Sequence, residues 1–158
     1  MKIYKSFRIQ KLSITLGIIF TLLLFSNAQA ATVDEVKKSI IAQSTSMGVD
    51  PAIMLSIAKS ESGFRQEARG AGGPVGVFQL MPATAKRLGV NPYDLEDNIK
   101  GGILYYKSMY KAFGSMELAV AAYNTGPEAI KRCNNKVPKH AQGFVSRIMA
   151  DYKYYKAN

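Results

Sequence analysis

Histidine occurs once in the 158 residues, as His140, cysteine once, as Cys133, and tryptophan not at all. A single imidazole excludes a zinc enzyme built on several histidines and any site that needs two of them. A single thiol excludes a disulfide framework within the chain and a four-cysteine metal site. Glycine-rich phosphate loops and dinucleotide fingerprints are also missing. Charged residues make up only 20% of the sequence against 47% apolar. That composition is too apolar for a disordered polypeptide and suits one globular domain with some chain left over.

Acidic residues are absent from the first 30 positions, where Lys2, Lys5, Arg8 and Lys11 precede an apolar run from Leu12 to Phe25 and then Ala28-Gln29-Ala30. A basic start, an apolar middle and a small-x-small tripeptide are the pattern of a secretory signal peptide. The apolar run is short against the roughly 20 residues that span a bilayer. The expectation is a signal peptide over 1–30, removed after Ala30, and an exported domain over 31–158 placed in the periplasm or cell envelope. Four of the 21 basic residues and none of the 11 acidic ones lie in that leader, which leaves a net charge of about +6 on residues 31–158. A basic exported domain suits an anionic partner. Its Lys and Arg residues are scattered between 37 and 156, unlike the clustered cations of a nucleic-acid reader, so nucleic acid is not expected as a partner.

From Thr32 onward the sequence reads as short helices joined by Gly- and Pro-marked turns. Thr32-Val33-Asp34-Glu35 has capping-box spacing and leads into Val36, Ile40 and Ile41 at helical period. Asp50-Pro51 supplies an N-cap and a proline at the first helical position for a very apolar helix ending at Gly63. Helix is improbable over Gly70 to Gly76. Pro82 opens a short helix stopped by Gly89, and Asp97 or Asn98 caps the next, with Ile99, Ile103, Leu104, Tyr106 and Tyr110 spaced to bury. Ser115 caps Met116 to Tyr123, Pro127 opens a helix to Cys133, and a last helix runs from about Ala141 to Tyr155. Only Val75 to Phe78 suggests an extended piece. The fold class is all-α, a single compact domain of about seven short helices.

Glu61 comes at the C-terminal end of that very apolar helix, as the first residue of Glu61-Ser62-Gly63-Phe64. A carboxylate there faces the negative end of the helix dipole, and burial would also disfavour its charge. Both raise its pKa toward what a general acid near neutral pH requires, although by position alone Glu61 also reads as a surface residue of a last helical turn. Fifteen residues on comes Gly76-Val77-Phe78-Gln79-Leu80-Met81-Pro82, and later Ala122-Tyr123-Asn124-Thr125-Gly126 at the end of a buried helix. Taken singly, Gln79 reads as a core amide satisfied by backbone, Met81 as a gap filler and Tyr123-Asn124 as a helix C-cap.

In this order and spacing the three blocks resemble the soluble lytic transglycosylase family, whose catalytic domain is a goose-lysozyme-like helical fold of the lysozyme-like α+β superfamily. The likeness covers roughly residues 50–155. It implies a saccharide groove and cleavage of the β-1,4 bond between N-acetylmuramic acid and N-acetylglucosamine in peptidoglycan, closing a 1,6-anhydro ring, with Glu61 as the single acid and base. It implies no metal or organic cofactor, a monomer, and glycan strands as partner. By analogy with short exported relatives, it also suggests service to an envelope-spanning secretion, conjugation or pilus complex. Ser62, Gly76, Phe78, Gln79, Met81, Tyr123, Asn124 and Phe144 take substrate-binding roles by the resemblance. The Gln79 amide would bond an N-acetyl or hydroxyl group, Met81 would pack on a sugar face, and the Tyr123 hydroxyl would lie near the Glu61 carboxyl. A water-using muramidase of the same fold and a catalytically weak wall-binding component are the alternatives.

The sequence departs from the family pattern at Val77 and Phe78, which stand in place of Leu and Met, and in two further places. Gly70 stands where the family carries a substrate-contacting serine. The late Glu-Thr-x-x-Tyr-Val block reads His140-Ala141-Gln142-Gly143-Phe144-Val145. There His140 is either a surface residue opening the last helix or a substrate contact that titrates near neutral pH.

Overall fold

The computed structural model describes residues 30–158, and residues 31–158 form one unit; the signal-peptide reading falls on residues outside that range. Seven α-helices are present among the described residues: α1 (Val33–Ser46), α2 (Pro51–Ser62), α3 (Pro82–Leu88), α4 (Leu95–Phe113), α5 (Met116–Thr125), α6 (Pro127–Arg132) and α7 (Gln142–Ala157), with a 3-10 turn over Lys139–Ala141 before the last. No strand is formed among these residues; the extended piece expected near Val75 amounts to two isolated bridges, from Val75 to Arg69 and to Leu80.

Helix α2 is the centre of the domain. Every residue from Ala52 to Ala58 is buried, as expected of a helix apolar on all sides, and it packs against α1 and α7. Its start is fixed by Asp50, whose carboxylate accepts from the Ala52 N–H at 3.0 Å, with Pro51 at the first position. Its end is fixed by Gly63 in the left-handed conformation, φ 62°. Phe64 follows at φ 67°, so the chain reverses and returns the Phe64 ring to the core. Glu61 is thereby carried at the last turn of the most deeply buried helix. The capping box at Thr32 forms as expected, with both of its hydrogen bonds present.

Helix α4 corrects two expectations. Its N-cap is Asp94, whose side chain accepts from Asp97 N at 2.9 Å, rather than Asp97 or Asn98. The latter lies inside the helix, fully buried. Tyr110, expected to bury, is 47% exposed, as Ile41 of α1 is at 44%; both lie at the edge of stripes wider than the area their neighbours cover.

Two adjacent glycines in the middle of α4, Gly101 and Gly102, each weaken a helix by about 1 kcal/mol relative to alanine. Their reason is contact. A Cβ on Gly102 would run into the Phe78 ring, and one on Gly101 would lie 2.6 Å from Leu80 Cδ1. The segment 76–81 therefore lies directly on the α4 backbone.

Candidate active site

A cleft of about 410 Å³ opens between that segment and the helices. Glu61 of α2, Pro74, Gln79, Leu80 and Met81 of the loop, Thr84 of α3, Tyr105 of α4, and Tyr123 to Gly126 at the end of α5 line it. Glu61 is the only carboxylate among them. Glu67, the next acid in sequence, is exposed and does not line the cleft, while Asp94 caps α4, Asp97 accepts from Asn91 N, and Glu96 takes hydrogen bonds from Ser39 and Gln43 of α1.

Burial pushes the Glu61 pKa up to about 7. Among the described residues no cation pairs with this carboxyl and no hydrogen bond to it is formed, so nothing offsets the loss of hydration. At neutral pH the group is divided between its protonated and charged forms.

The loop wall has no regular secondary structure and is built from side-chain bonds to backbone. Asn98 is its hub: Oδ1 accepts from Phe78 N at 2.9 Å, while Nδ2 donates to Val75 O at 2.8 Å and to Pro92 O at 2.9 Å. The Ser62 hydroxyl donates to Val77 O at 2.8 Å, tying the loop to the residue after Glu61. Gln66 accepts from Val77 N and donates to Pro92 O. Gly76, at φ 81°, is closely approached by the Asn98 and Gln66 side chains, so no Cβ fits there.

Tyr123 joins the two walls. Its hydroxyl donates to Phe78 O at 2.8 Å and its ring lies 5.0 Å from that of Tyr105. Burial, with the Glu61 and Tyr105 charges acting in the same direction, holds its phenol well above the usual tyrosine range. The hydroxyl therefore stays neutral with its proton committed to a backbone carbonyl, leaving an oxygen lone pair for a neighbour.

Of the residues singled out in the sequence, the cleft brings together Glu61, Gln79, Met81, Tyr123 and Asn124. Met81 is 46% exposed at the lip, a surface side chain and no gap filler. Gln79, in the left-handed region at φ 44°, spends its amide N–H groups on Gly76 O at 2.8 Å and Ala68 O at 3.3 Å; only its Oε1 is left for a ligand. Ser62, Gly76 and Phe78 do not line the cleft, because all three are buried behind its wall, where they hold or form the loop. Phe144 also lies outside it, half-buried beneath the Arg147 guanidinium, which sits 6.0 Å from its ring centre.

Tyr105, Thr84, Thr125 and Pro74 line the cleft without having been singled out. Tyr105 had a faint signal: of the Tyr105-Tyr106 pair on one amphipathic helix only one can face the core, and the buried one is Tyr106. Gly70 is more than a missing hydroxyl. A Cβ there would come within 2.6 Å of Pro74 Cγ and 2.7 Å of Gln79 Oε1, so Pro74 occupies the space that a side chain at 70 would need.

Solved structures with this fold include the 70 kDa soluble lytic transglycosylase SLT70 of Escherichia coli, at TM-score 0.68 and 24% identity over 76% of this chain and 24% of that one. An inactive glutamate-to-glutamine mutant of the lytic transglycosylase Slt of Pseudomonas aeruginosa superposes at TM-score 0.68 with 22% identity, over 77% of this chain and 24% of that one. A transglycosylase of Enterobacteria phage PRD1 is 36% identical over 90 residues, 56% of this chain and 34% of the phage protein. The chain thus spans about a third of that relative and about a quarter of the solved proteins. The family model of the transglycosylase SLT domain matches residues 38–143, well over half of the sequence. This chain therefore belongs to the transglycosylase SLT domain family.

Proposed function

We propose that the protein is a peptidoglycan lytic transglycosylase in which Glu61 performs both proton transfers. One observation carries the reading: a single carboxyl, with a pKa of about 7, is the only carboxylic acid lining the cleft. Retaining and inverting glycosidases alike work with two carboxyl groups across the scissile bond, and a second is not among these lining residues.

The reaction balances with one. Protonated Glu61 gives its proton to the glycosidic oxygen as the bond from that oxygen to the muramyl C1 breaks. The resulting carboxylate then takes the proton of the muramyl C6 hydroxyl while O6 bonds to C1, closing the 1,6-anhydro ring and restoring the acid. No water is consumed. A pKa near the working pH serves both halves, and the substrate's own N-acetyl group stabilises the oxocarbenium-like species between them. The Tyr123 oxygen, the Gln79 Oε1 and the Thr84 and Asn124 side chains are the polar groups available to orient the sugars, with Met81 and Tyr105 offering apolar faces. The basic-apolar-small leader supports export to the periplasm or cell envelope, and N-terminal sequencing of exported protein would find Ala31 first.

Mass analysis of sacculus digests tests the chemistry. Anhydro products, lighter by one water than reducing-end products, are expected, and Glu61→Gln should lower the rate at least ~100-fold, the scale of general acid–base catalysis. Reducing-end products would make the protein a muramidase, and equal rates for the two proteins would end the enzyme reading.

A further inference from the structure

Although the basic residues are scattered, the acidic ones are not. Between Ala129 and Ala150 there are five cationic side chains and no carboxylate, while the rest of residues 31–158 carries 12 basic and 11 acidic residues. With Glu128 at the start of α6 counted, +4 of the domain's net charge of about +6 sits on α6, the connection after it and the start of α7.

That connection is a fixed platform. Asn134 and Asn135 both take left-handed conformations, Asn135 N bonds Ile130 O at 3.0 Å, Lys136 N bonds Cys133 O at 3.1 Å, and Pro138 is buried. Arg132, Lys136, Lys139 and Arg147 are all exposed. Among the described residues the only ion pair in this region is between Lys131 and Glu128 at the start of α6. The platform adjoins the cleft, because Gly126 both lines the cleft and caps α6, a helix of six residues, about 9 Å long. His140, which the cleft does not use, is exposed beside Lys139, and half-buried Phe144 lies beneath the Arg147 guanidinium.

We propose that this cationic face is an extension of the substrate site that binds the carboxylates of the peptide side chains on a glycan strand held in the cleft. The placement rests on the peptidoglycan reading above. Anionic groups spaced along a polymer whose glycan occupies the cleft would pass within reach of a platform one short helix away. Each contact is exposed and screened by salt, so the surface adds affinity by number rather than by any single strong bond.

The test combines Arg132→Gln, Lys136→Gln and Lys139→Gln, all at exposed positions where charge is removed without opening the core. Binding to native sacculi is measured in the Glu61→Gln background, so that it does not depend on turnover. KM is measured with Glu61 intact. The triple variant should bind about tenfold more weakly and raise KM about tenfold, as expected for three exposed contacts of about twofold each. Wild-type binding should fall toward the variant's as salt rises. On sacculi whose carboxylates are converted to neutral amides the two proteins should become indistinguishable. Equal binding to native sacculi overturns the proposal, as does an undiminished difference on the amidated ones. So does a variant that loses only its binding to phosphatidylglycerol vesicles, which would make the face a membrane surface. If no anhydro product forms while sacculus binding still depends on these charges, the mechanism of the preceding section fails and the surface stands.

Discussion

The two walls of the cleft are held by different forces. The helical wall, from α2 and α5, stands on apolar burial: Ile53, Met54, Ile57, Ala121 and Ala122 are essentially inaccessible, and Glu61 and Tyr123 ride on the ends of those helices. The wall formed by residues 66–81 also buries Val75, Val77, Phe78 and Leu80, but it has two isolated bridges in place of a ladder and takes its shape from single hydrogen bonds made to its backbone by Asn98, Ser62, Gln66, Gln79 and Tyr123. Burial is distributed over many small contacts and degrades gradually. A polar hub in a dry interior is different, because losing one partner leaves the other unsatisfied. The loop wall is therefore the fragile half of the site.

Asn98→Leu breaks the comparison most sharply. It removes the partner of Phe78 N and one of the two donors to each of Val75 O and Pro92 O in one step, and should cost about 3 kcal/mol, chiefly because a buried N–H is left unpaired. In the helical wall, Ile57→Val should cost only about 1 kcal/mol. Denaturant melts of the two variants check this. Activity measured well below their melting points should collapse for Asn98→Leu and stay near wild type for Ile57→Val. Equal losses of stability would mean that the loop is held by its contacts on Gly101 and Gly102 instead.

That contrast also sets what could be read in advance. The helices were legible because periodicity, capping boxes and Gly stops are local: α2 begins at Asp50-Pro51 and ends at Gly63 as the residues indicate. Glu61 was legible because a carboxyl at the end of a helix that is apolar over most of Ala52 to Ala58 is locally conspicuous, and its raised pKa follows from the burial that those positions imply. The loop was not. Asn98 looks like an N-cap because capping is what asparagine commonly does beside a helix start, whereas its actual partners lie 20 and 23 residues away as well as at Pro92. Ser62 and Phe78 belong to the conspicuous blocks yet stand behind the wall, since a motif marks what must be preserved without separating the groups that touch a ligand from those that hold the surface in shape. Tyr105 was passed over because its neighbour Tyr106 satisfies the same helical stripe.

The helical wall has a cost of its own, readable through pH. The Glu61 pKa is about 7 in the fold against 4.5 for an ordinary glutamate, so between those values the folded state binds more protons than the unfolded one, and stability falls as pH rises from about 4.5 to about 7. Above that window the buried charge destabilises the domain by about 3 kcal/mol. Glu61→Gln removes the charge, so it should be the more stable protein at pH 8 by that amount, with the difference gone below pH 4.5. Thermal melts across the range check this. The kcat/KM of the wild type should fall over the same upper limb, tenfold per pH unit beyond about 7, as the acid loses its proton.

Tyr123→Phe gives the smallest change and sharpens the comparison most finely, because the deleted hydroxyl is the bond from α5 to the loop wall, as the Ser62 hydroxyl is the bond from α2. Losing it leaves the Phe78 carbonyl without its 2.8 Å donor while the ring, packed at a tilt of 57° against that of Tyr105, keeps its place. The expected cost is about 1–2 kcal/mol of stability, together with a rate loss of about tenfold or less, as Phe78 and the adjoining Gln79 relax away from Glu61. A hydroxyl that instead worked on the substrate would behave in the opposite way, with stability unchanged and a rate loss comparable to that of Glu61→Gln. Its committed proton and strongly raised pKa argue for the first outcome: a phenol already donating to a backbone carbonyl in a dry wall cannot give that proton to a sugar without breaking the bond that shapes the cleft.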